Sequence, residues 1–100
     1  MALDANGYAP SLMDTSPGEC WLCTKKRETA RHEVFHGPYR TKSKRLGAWL
    51  DLCPECHARI HEGGRLERQV KAVAQEVLQS SLGWTTERFI NEFGKNYREE

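Results

Sequence analysis

The feature that most constrains this chain is a set of four cysteines arranged as two Cys-x2-Cys pairs. Cys20 and Cys23 form the first pair, Cys53 and Cys56 form the second, and 29 residues lie between the pairs. Each pair can place two thiolates on one side of a tetrahedral ion, and zinc is the usual occupant of such a site. Two disulfides or an iron centre are the competing interpretations. The spacing predicts a structural zinc ion held by all four sulfurs.

The composition also indicates that apolar burial alone does not hold the fold. A chain of 100 residues with 38% hydrophobic and 29% charged residues has a marginal core, which a metal, a disulfide or a partner usually supplements. Residues 1–18 lack the basic start and apolar run of a secretory signal, which favours a reducing compartment and zinc over disulfides. No stretch approaches the roughly 20 apolar residues of a membrane span. We therefore expect a cytoplasmic protein that makes no membrane contact.

Three segments follow from the distribution of residue types. Residues 1–18 contain Gly, Pro, Ser, Asn and Asp with no apolar period, and are predicted to be a flexible arm. Residues 19–64 hold every cysteine and every histidine, and form the predicted zinc core. Residues 65–100 are predicted to be a helical extension packed on that core. The predicted fold class is small α+β, with a zinc finger followed by a C-terminal pair of helices.

Within the core, residue preferences predict two short strands and one helix. The strands are Arg31–Phe35 and Ala48–Leu52, and the second has Trp49 and Leu50 as its apolar surface. Residues 36–47, with a Gly-Pro pair and several cations, are predicted to be an exposed loop. A helix should run from Cys53 to about residue 62, where two glycines end it.

The extension should contain two helices with apolar stripes. The first covers residues 65–80, with a stripe formed by Leu66, Val70, Val73, Val77 and Leu78. The second begins after Thr85 as N-cap and ends at Gly94, with a stripe formed by Phe89, Ile90 and Phe93. Both stripes are interpreted as core surfaces.

Positive charge is concentrated between Thr24 and Arg45, where eight cations stand against two anions although the whole chain has a net charge of only +1. Such a segment suits contact with phosphates. Lys25, Lys26 and Arg27 have a second interpretation, since four thiolates around Zn²⁺ carry a charge of −2 that nearby cations would offset. The later cations are interpreted as DNA-backbone contacts, with His36 as a loop or phosphate-contacting residue: Arg40, Lys42, Lys44 and Arg45.

A strand, a basic loop, a second strand, a cysteine pair and a helix together describe a treble-clef zinc finger. Three segments resemble the HNH, or His-Me finger, endonucleases, and most of all their small phage-encoded branch: Cys20–Cys23, Arg31–Gly37 and Leu52–His61. The segment Phe89–Tyr97 is similar to the ending of those phage proteins. The resemblance spans residues 19–97 and implies a ββα-metal nuclease that hydrolyses DNA phosphodiester bonds in a bacterial host cell.

The resemblance also implies roles for individual residues. His32 takes the place of the metal ligand on the strand, His57 that of the helix ligand, and His61 that of a second helix ligand or phosphate contact. The ion would be Mg²⁺, Mn²⁺, Ni²⁺ or Zn²⁺, separate from the structural zinc. His57 and His61 lie four residues apart on one helical face, which suits shared coordination. Their simpler interpretation is that they cap or solvate the helix.

Glu33 stands where the family has its general-base histidine, so the predicted catalytic set is Glu33, His32 and His57. A carboxylate with its ordinary pKa of about 4.3 is a weaker base than imidazole. No asparagine matches the middle letter of the HNH signature shortly before Cys53. In an alternative register His32 is the base, which leaves Arg31 in the ligand position.

These departures motivate a second hypothesis, in which the chain is a non-catalytic zinc module that retains the nuclease scaffold. It would bind nucleic acid or a protein partner, for example as an inhibitor directed at the host. The sequence leaves open whether the chain acts as a homodimer.

Overall fold

The computed structural model describes residues 3–98 as a small α+β fold with four α-helices and a two-stranded sheet. The strands are β1 (Ala30–Glu33) and β2 (Trp49–Leu52). The helices, in chain order, are α1 (Arg40–Arg45), α2 (Pro54–His61), α3 (Arg65–Leu82) and α4 (Thr86–Phe93). Residues 1, 2, 99 and 100, which belong to the predicted arm and extension, lie outside the described residues. None of the described helices is long and apolar enough to cross a membrane.

The two strands pair antiparallel, with His32 opposite Leu50 and Glu33 opposite Trp49. Because side chains alternate along a strand, His32 and Leu50 share one face of the sheet, whereas Glu33 and Trp49 share the other. Every residue of β2 is buried. Both faces of β2 are therefore covered by other parts of the chain.

We call the face that carries Glu33 and Trp49 the outer face. It is covered by residues 3–18, which we call the N-terminal segment. It was predicted to be a flexible arm, but Ala9 and Met13 are buried. The indole nitrogen of Trp49 donates to the carbonyl of Ala9 at 2.8 Å, and the hydroxyl of Ser11 donates to the carbonyl of Trp49 at 2.6 Å. Composition alone does not reveal this packing because the contacts join residues that lie about 40 positions apart.

The predicted exposed loop over residues 36–47 is also corrected. It folds as a 3-10 turn over Gly37–Tyr39 followed by α1. Ser43 is buried, donates to the carbonyl of Ala48 at 2.6 Å and accepts from the amide of Phe35 at 3.2 Å. Gly47 then turns the chain with a φ of 81°, and a Cβ at this position would lie 2.4 Å from the carbonyl oxygen of Pro10. These contacts hold α1 against the sheet.

The predicted helices after the second cysteine pair are confirmed, although their stripes differ in part. Thr85 caps α4 by accepting from the amide of Arg88 at 3.0 Å, and Gly94 ends that helix in the left-handed conformation. Phe89 and Phe93 are buried as predicted, but Ile90 is exposed. In α3, Val73 is likewise exposed. Val70 and Leu78 are buried as predicted, and Ala74 and Gln75 join them on the buried face of α3, since residues four apart lie on one side of a helix.

Aromatic rings join the C-terminal helices to the end of β1. The ring of Phe35 lies 4.5 Å from that of Phe93 and 5.5 Å from that of Phe89, centroid to centroid. Gln75 is fully buried, and its amide donates to Asn96 while its carbonyl oxygen accepts from the amide of Tyr97. The core thus runs from the sheet through α3 to α4.

Candidate metal centres

The four cysteines meet at one point between the two turns that carry them. Their sulfur atoms all lie within 4.8 Å of one another. The first turn closes where the amide of Thr24 donates to the carbonyl of Cys20 at 2.9 Å. In the second, Cys53 is the N-cap residue of α2, and Cys56 lies in its first turn. The local turns therefore place two sulfurs on each side of a common centre.

The geometry fits a structural zinc ion. A Zn–S bond of about 2.3 Å requires sulfurs about 3.8 Å apart in a tetrahedron, and the Sγ atoms of Cys23 and Cys53 are 3.9 Å apart. All four cysteines are free rather than joined in disulfides. Cys20, Cys53 and Cys56 are buried, and Cys23 is partly exposed. Such closure by four protein ligands is typical of a structural site.

The thiols differ in acidity when no ion is bound. Burial acts to raise the pKa of Cys20, but hydrogen bonds from the backbone amides of Cys23 and Cys53 lower it to about 6. Burial, together with hydrogen bonds that the Cys56 thiol donates to the sulfurs of the neighbouring cysteines, raises the pKa of Cys56 to about 12. The fold therefore favours the thiolate of Cys20 and opposes that of Cys56, and a bound cation would favour the thiolate form of its ligands.

Arg27 connects the two cysteine pairs. Its guanidinium donates to Glu55, which lies between Cys53 and Cys56, at 2.9 Å. Hydrogen bonding and charge from Glu55, and then the charges of Cys53 and Cys23, raise the pKa of Arg27. These contacts support the interpretation that Arg27 offsets negative charge at the cysteine site.

A second cluster contains three of the four histidines. His32 comes from β1, whereas His57 and His61 come from successive turns of α2, and one ring nitrogen of each lies within 4.8 Å of the others. The ring centroids are 5.1 Å apart for His32 and His57 and 4.6 Å apart for His57 and His61. The structure therefore brings together the three histidines for which the sequence predicted a second metal site.

Burial decreases across this cluster. His32 is buried, His57 is half-buried and His61 is exposed. Burial, followed by the charges of His57 and His61, lowers the pKa of His32 to about 4, and burial also lowers the pKa of His57. Folding therefore favours the neutral form of both imidazoles, which is the form that binds metal ions. The cluster opens to solvent on the His61 side.

Glu33, the predicted general base, does not join the histidines. It lies on the outer face of the sheet, where Tyr8 donates to one carboxylate oxygen and Arg40 donates to the other at 2.9 Å. Burial acts to raise its pKa, but these two hydrogen bonds lower it overall. Burial and the Glu33 contact raise the pKa of Tyr8 to about 12. A carboxylate held in this way is a poor proton acceptor near neutral pH.

Arg31, which the alternative register would place in a ligand position, also points away from the histidines. Its guanidinium lies 4.6 Å from the ring centroids of both Tyr8 and Trp49, and it donates to Asp4 at 2.7 Å. Sequence reasoning missed Tyr8 as a partner of both Arg31 and Glu33. No local pattern around Tyr8 marks it, since both contacts depend on the folding of the N-terminal segment.

The residues predicted to contact nucleic acid do not form one continuous patch. Arg40 bonds Glu33, and the ammonium of Lys44 lies 4.7 Å from the ring centroid of Tyr8, so both face the N-terminal segment. Lys42 points to the other side, where it pairs with Glu92 of α4 at 3.0 Å.

His36 and Arg45 complete that predicted set. His36 pairs with Glu67 at 2.9 Å. The side chain of Arg45 is exposed and has no ion pair or hydrogen bond with any residue between 3 and 98. The predicted contact residues therefore divide among at least two sides of α1.

Comparison with known proteins adds no family assignment, because no protein-family model, curated protein or solved structure matches this chain. The fold and the two clusters therefore carry the functional argument.

Proposed function

We propose that this chain is a metal-dependent DNA endonuclease of the HNH type, built on a treble-clef zinc core. The observation that carries the proposal is the meeting of His32 on β1 with His57 and His61 on α2. Two antiparallel strands followed directly by a helix form the ββα arrangement that this class of nuclease uses. The histidine ligands of its metal ion would come from the first strand and from the helix.

The cysteine site lies at the junction between the sheet and the helix that carries two of the histidines. Cys53 directly follows β2 and directly precedes α2. A zinc ion bound there would fix the angle at which the helix leaves the sheet. Because His57 is one turn after Cys53 and His61 is one turn further, that angle also fixes both histidines relative to His32. The structural zinc would therefore orient the second site without taking part in its chemistry.

The histidine cluster has the properties of an ion site that keeps open positions. His32 and His57 would hold the ion as neutral ligands, and the exposed His61 would complete its coordination or contact the phosphate. A divalent ion there would polarise the scissile phosphate and stabilise charge on the leaving oxygen. The opening on the His61 side would admit a phosphodiester from solvent. Three protein ligands with room for a substrate are typical of catalytic rather than structural sites.

Glu33 has a positioning role in this proposal. Both of its oxygens accept hydrogen bonds, and its side chain lies on the sheet face opposite to His32. It fastens the N-terminal segment and α1 to β1 through Tyr8 and Arg40. We therefore do not assign it the removal of a proton from the attacking water.

The same observation favours one rival function. If hydrolysis requires a protein base beside the ion, a scaffold whose carboxylate is held on the other face would bind nucleic acid without cutting it. In this version the cysteine site keeps its structural role. The histidine cluster would then hold an ion, or a phosphate, without turnover.

Cleavage of supercoiled plasmid by zinc-loaded protein distinguishes the two functions. The assay compares wild type, His57→Ala, Glu33→Gln and the control Lys26→Ala, each with added Mg²⁺, Mn²⁺, Ni²⁺ or Zn²⁺. If the chain is a nuclease, we expect cleavage by wild type, loss of cleavage in His57→Ala, and retained cleavage in both other variants. No cleavage by wild type with any ion would reject the nuclease in favour of the binding module. Loss of cleavage in Glu33→Gln, with the fold intact, would reject its positioning role.

A further inference from the structure

A groove between α1 and α4 lies apart from the residues of both metal clusters. Its volume is about 470 Å³. The lining residues that matter for its chemistry come from both helices and from the residue before the Thr85 cap: Thr41, Lys42, Arg45, Trp84, Arg88 and Glu92. The sequence pattern assigned no role to Arg88 or Glu92, since it marked only Phe89, Ile90 and Phe93 of this helix. One wall of the groove is α1, a helix that the sequence did not predict.

The groove carries an excess of positive charge. Lys42 and Arg88 share one acidic partner, since their nitrogens lie 3.0 Å from the two carboxylate oxygens of Glu92. This network neutralises Glu92 and orders the two cations at the groove wall. Arg45 is exposed and unpaired within residues 3–98. The three cations and one anion give the groove a net charge of +2, which favours an anionic ligand.

An aromatic ring stands next to these cations. Trp84 is half-buried, and the guanidinium of Arg88 lies over its ring, 4.8 Å from the centroid. A planar cation beside an indole is a surface on which nucleic-acid bases stack, whatever their sequence. Pockets of roughly 300 to 1,000 Å³ accommodate small ligands. A single nucleotide can therefore enter this groove, whereas a base inside a duplex has no free face to stack on the indole.

We propose that the groove between α1 and α4 binds an unpaired nucleotide of a single-stranded DNA segment. Arg45 and Lys42 would contact its phosphates, Thr41 would donate a hydroxyl hydrogen bond, and the Arg88 guanidinium together with the indole of Trp84 beneath it would stack against its base. The choice of DNA rests on the proposed function, and it makes a single-stranded or branched substrate the preferred one. An acidic peptide would satisfy the cations but would make no use of the indole beside them.

Binding is tested without cleavage, in zinc-loaded His57→Ala protein. Fluorescence anisotropy of a labelled oligothymidine is measured across a range of salt concentrations. In this background the added changes are Arg45→Ala, Trp84→Leu, Trp84→Phe and the control Lys26→Ala. Lys26 is an exposed cation near the first cysteine pair and does not line the groove. Circular dichroism and zinc content confirm that each variant is folded.

Trp84→Leu should weaken binding by about 5- to 100-fold, because it removes one base stack, and Trp84→Phe should restore most of the affinity. Arg45→Ala should also weaken binding and reduce the salt slope by about 0.7, the value for one phosphate contact with a single strand. Lys26→Ala should change neither quantity. Equal affinities for Trp84→Leu and its parent would overturn the proposal.

Two competing ligands test whether an acidic peptide or duplex DNA occupies the groove instead. Polyglutamate of matched charge should compete poorly, and duplex DNA should bind with no dependence on Trp84. Effective competition by polyglutamate, or a duplex affinity that equals the single-strand affinity and falls equally in Trp84→Leu, would overturn the assignment to unpaired nucleotides. Since no cleavage is measured, single-strand binding with inactive wild type would reject only the nuclease.

Discussion

The cysteine site and the histidine cluster differ in how completely the protein surrounds a bound ion. Four sulfurs surround the first centre, and three of the four cysteines are buried. Three nitrogens border the second, and their exposure increases from His32 to His61. A full set of protein ligands leaves no position for a substrate, whereas three ligands and an open side do. The two clusters therefore differ both in the number of ligand atoms they offer and in their access to solvent.

The largest effect should follow from removing a ligand of the cysteine site, which we call the closed site because four sulfurs surround it. Cys56→Ser removes one of its four ligands, and structural zinc in small domains contributes about 10 to 16 kcal/mol of binding free energy that is also folding free energy. We expect loss of zinc and of the cooperative unfolding transition, measured by metal content and circular dichroism. The matched variant His57→Ala should keep both. A folded Cys56→Ser protein without zinc would show that the apolar core suffices.

We call the histidine cluster the open site. When it holds no metal ion, acid should reduce the contribution of its buried His32 to the free energy of unfolding. The pKa of His32 falls from 6.5 to about 4 on folding, so the unfolded chain binds the extra proton first. This stabilising contribution is complete above pH 6.5 and is lost as the pH falls through about 4. It amounts to at most about 3 kcal/mol.

Urea unfolding of wild type and His32→Gln at matched zinc content measures this term. The difference in unfolding free energy should shrink from pH 6.5 to pH 4. The control Lys26→Ala, which changes an exposed side chain, should run parallel to wild type. A pH-independent difference between wild type and His32→Gln would refute the assignment of a neutral buried His32.

An ion at the open site should stabilise the protein without filling the closed one. Zinc-loaded protein titrated with Co²⁺ should gain about 2.7 kcal/mol at a concentration of 100 Kd. His57→Ala should weaken this binding at least about tenfold. Isothermal titration calorimetry and the thermal midpoint measure the two quantities. Unchanged Co²⁺ affinity in His57→Ala would show that the histidine cluster does not bind the ion.

The smallest effect concerns the carboxylate that lies outside the open site. Tyr8→Phe removes one hydrogen bond to the Glu33 carboxylate, which should cost about 1.5 kcal/mol of stability. It should leave Co²⁺ affinity at the histidines unchanged, because Tyr8 and Glu33 lie on the other face of the sheet. Denaturant unfolding and the Co²⁺ titration separate these outcomes. A lower Co²⁺ affinity in Tyr8→Phe would indicate that Glu33 does influence the cluster.

The local parts of both sites could be predicted from the sequence. The Cys-x2-Cys spacing indicates two turns that each offer two sulfurs, and the separation of His57 from His61 places them on one helical face. The cap at Thr85 and the end at Gly94 are equally local. Each of these features depends on backbone geometry within a few residues. A periodic stripe predicts less, since Val73 and Ile90 match the period and are exposed.

The metal-binding residue types, their local spacing and the helices that follow the second cysteine pair can all be read from the amino-acid order. Tertiary structure decided that His32 meets His57 and His61, because strand pairing and the second cysteine pair orient β1 against α2. It also decided that Glu33 binds Tyr8 and Arg40, and that α1 and α4 enclose a groove. The physical reason is range: turns and helices are set by hydrogen bonds a few residues apart, whereas each of these contacts requires the chain to return from a distant segment.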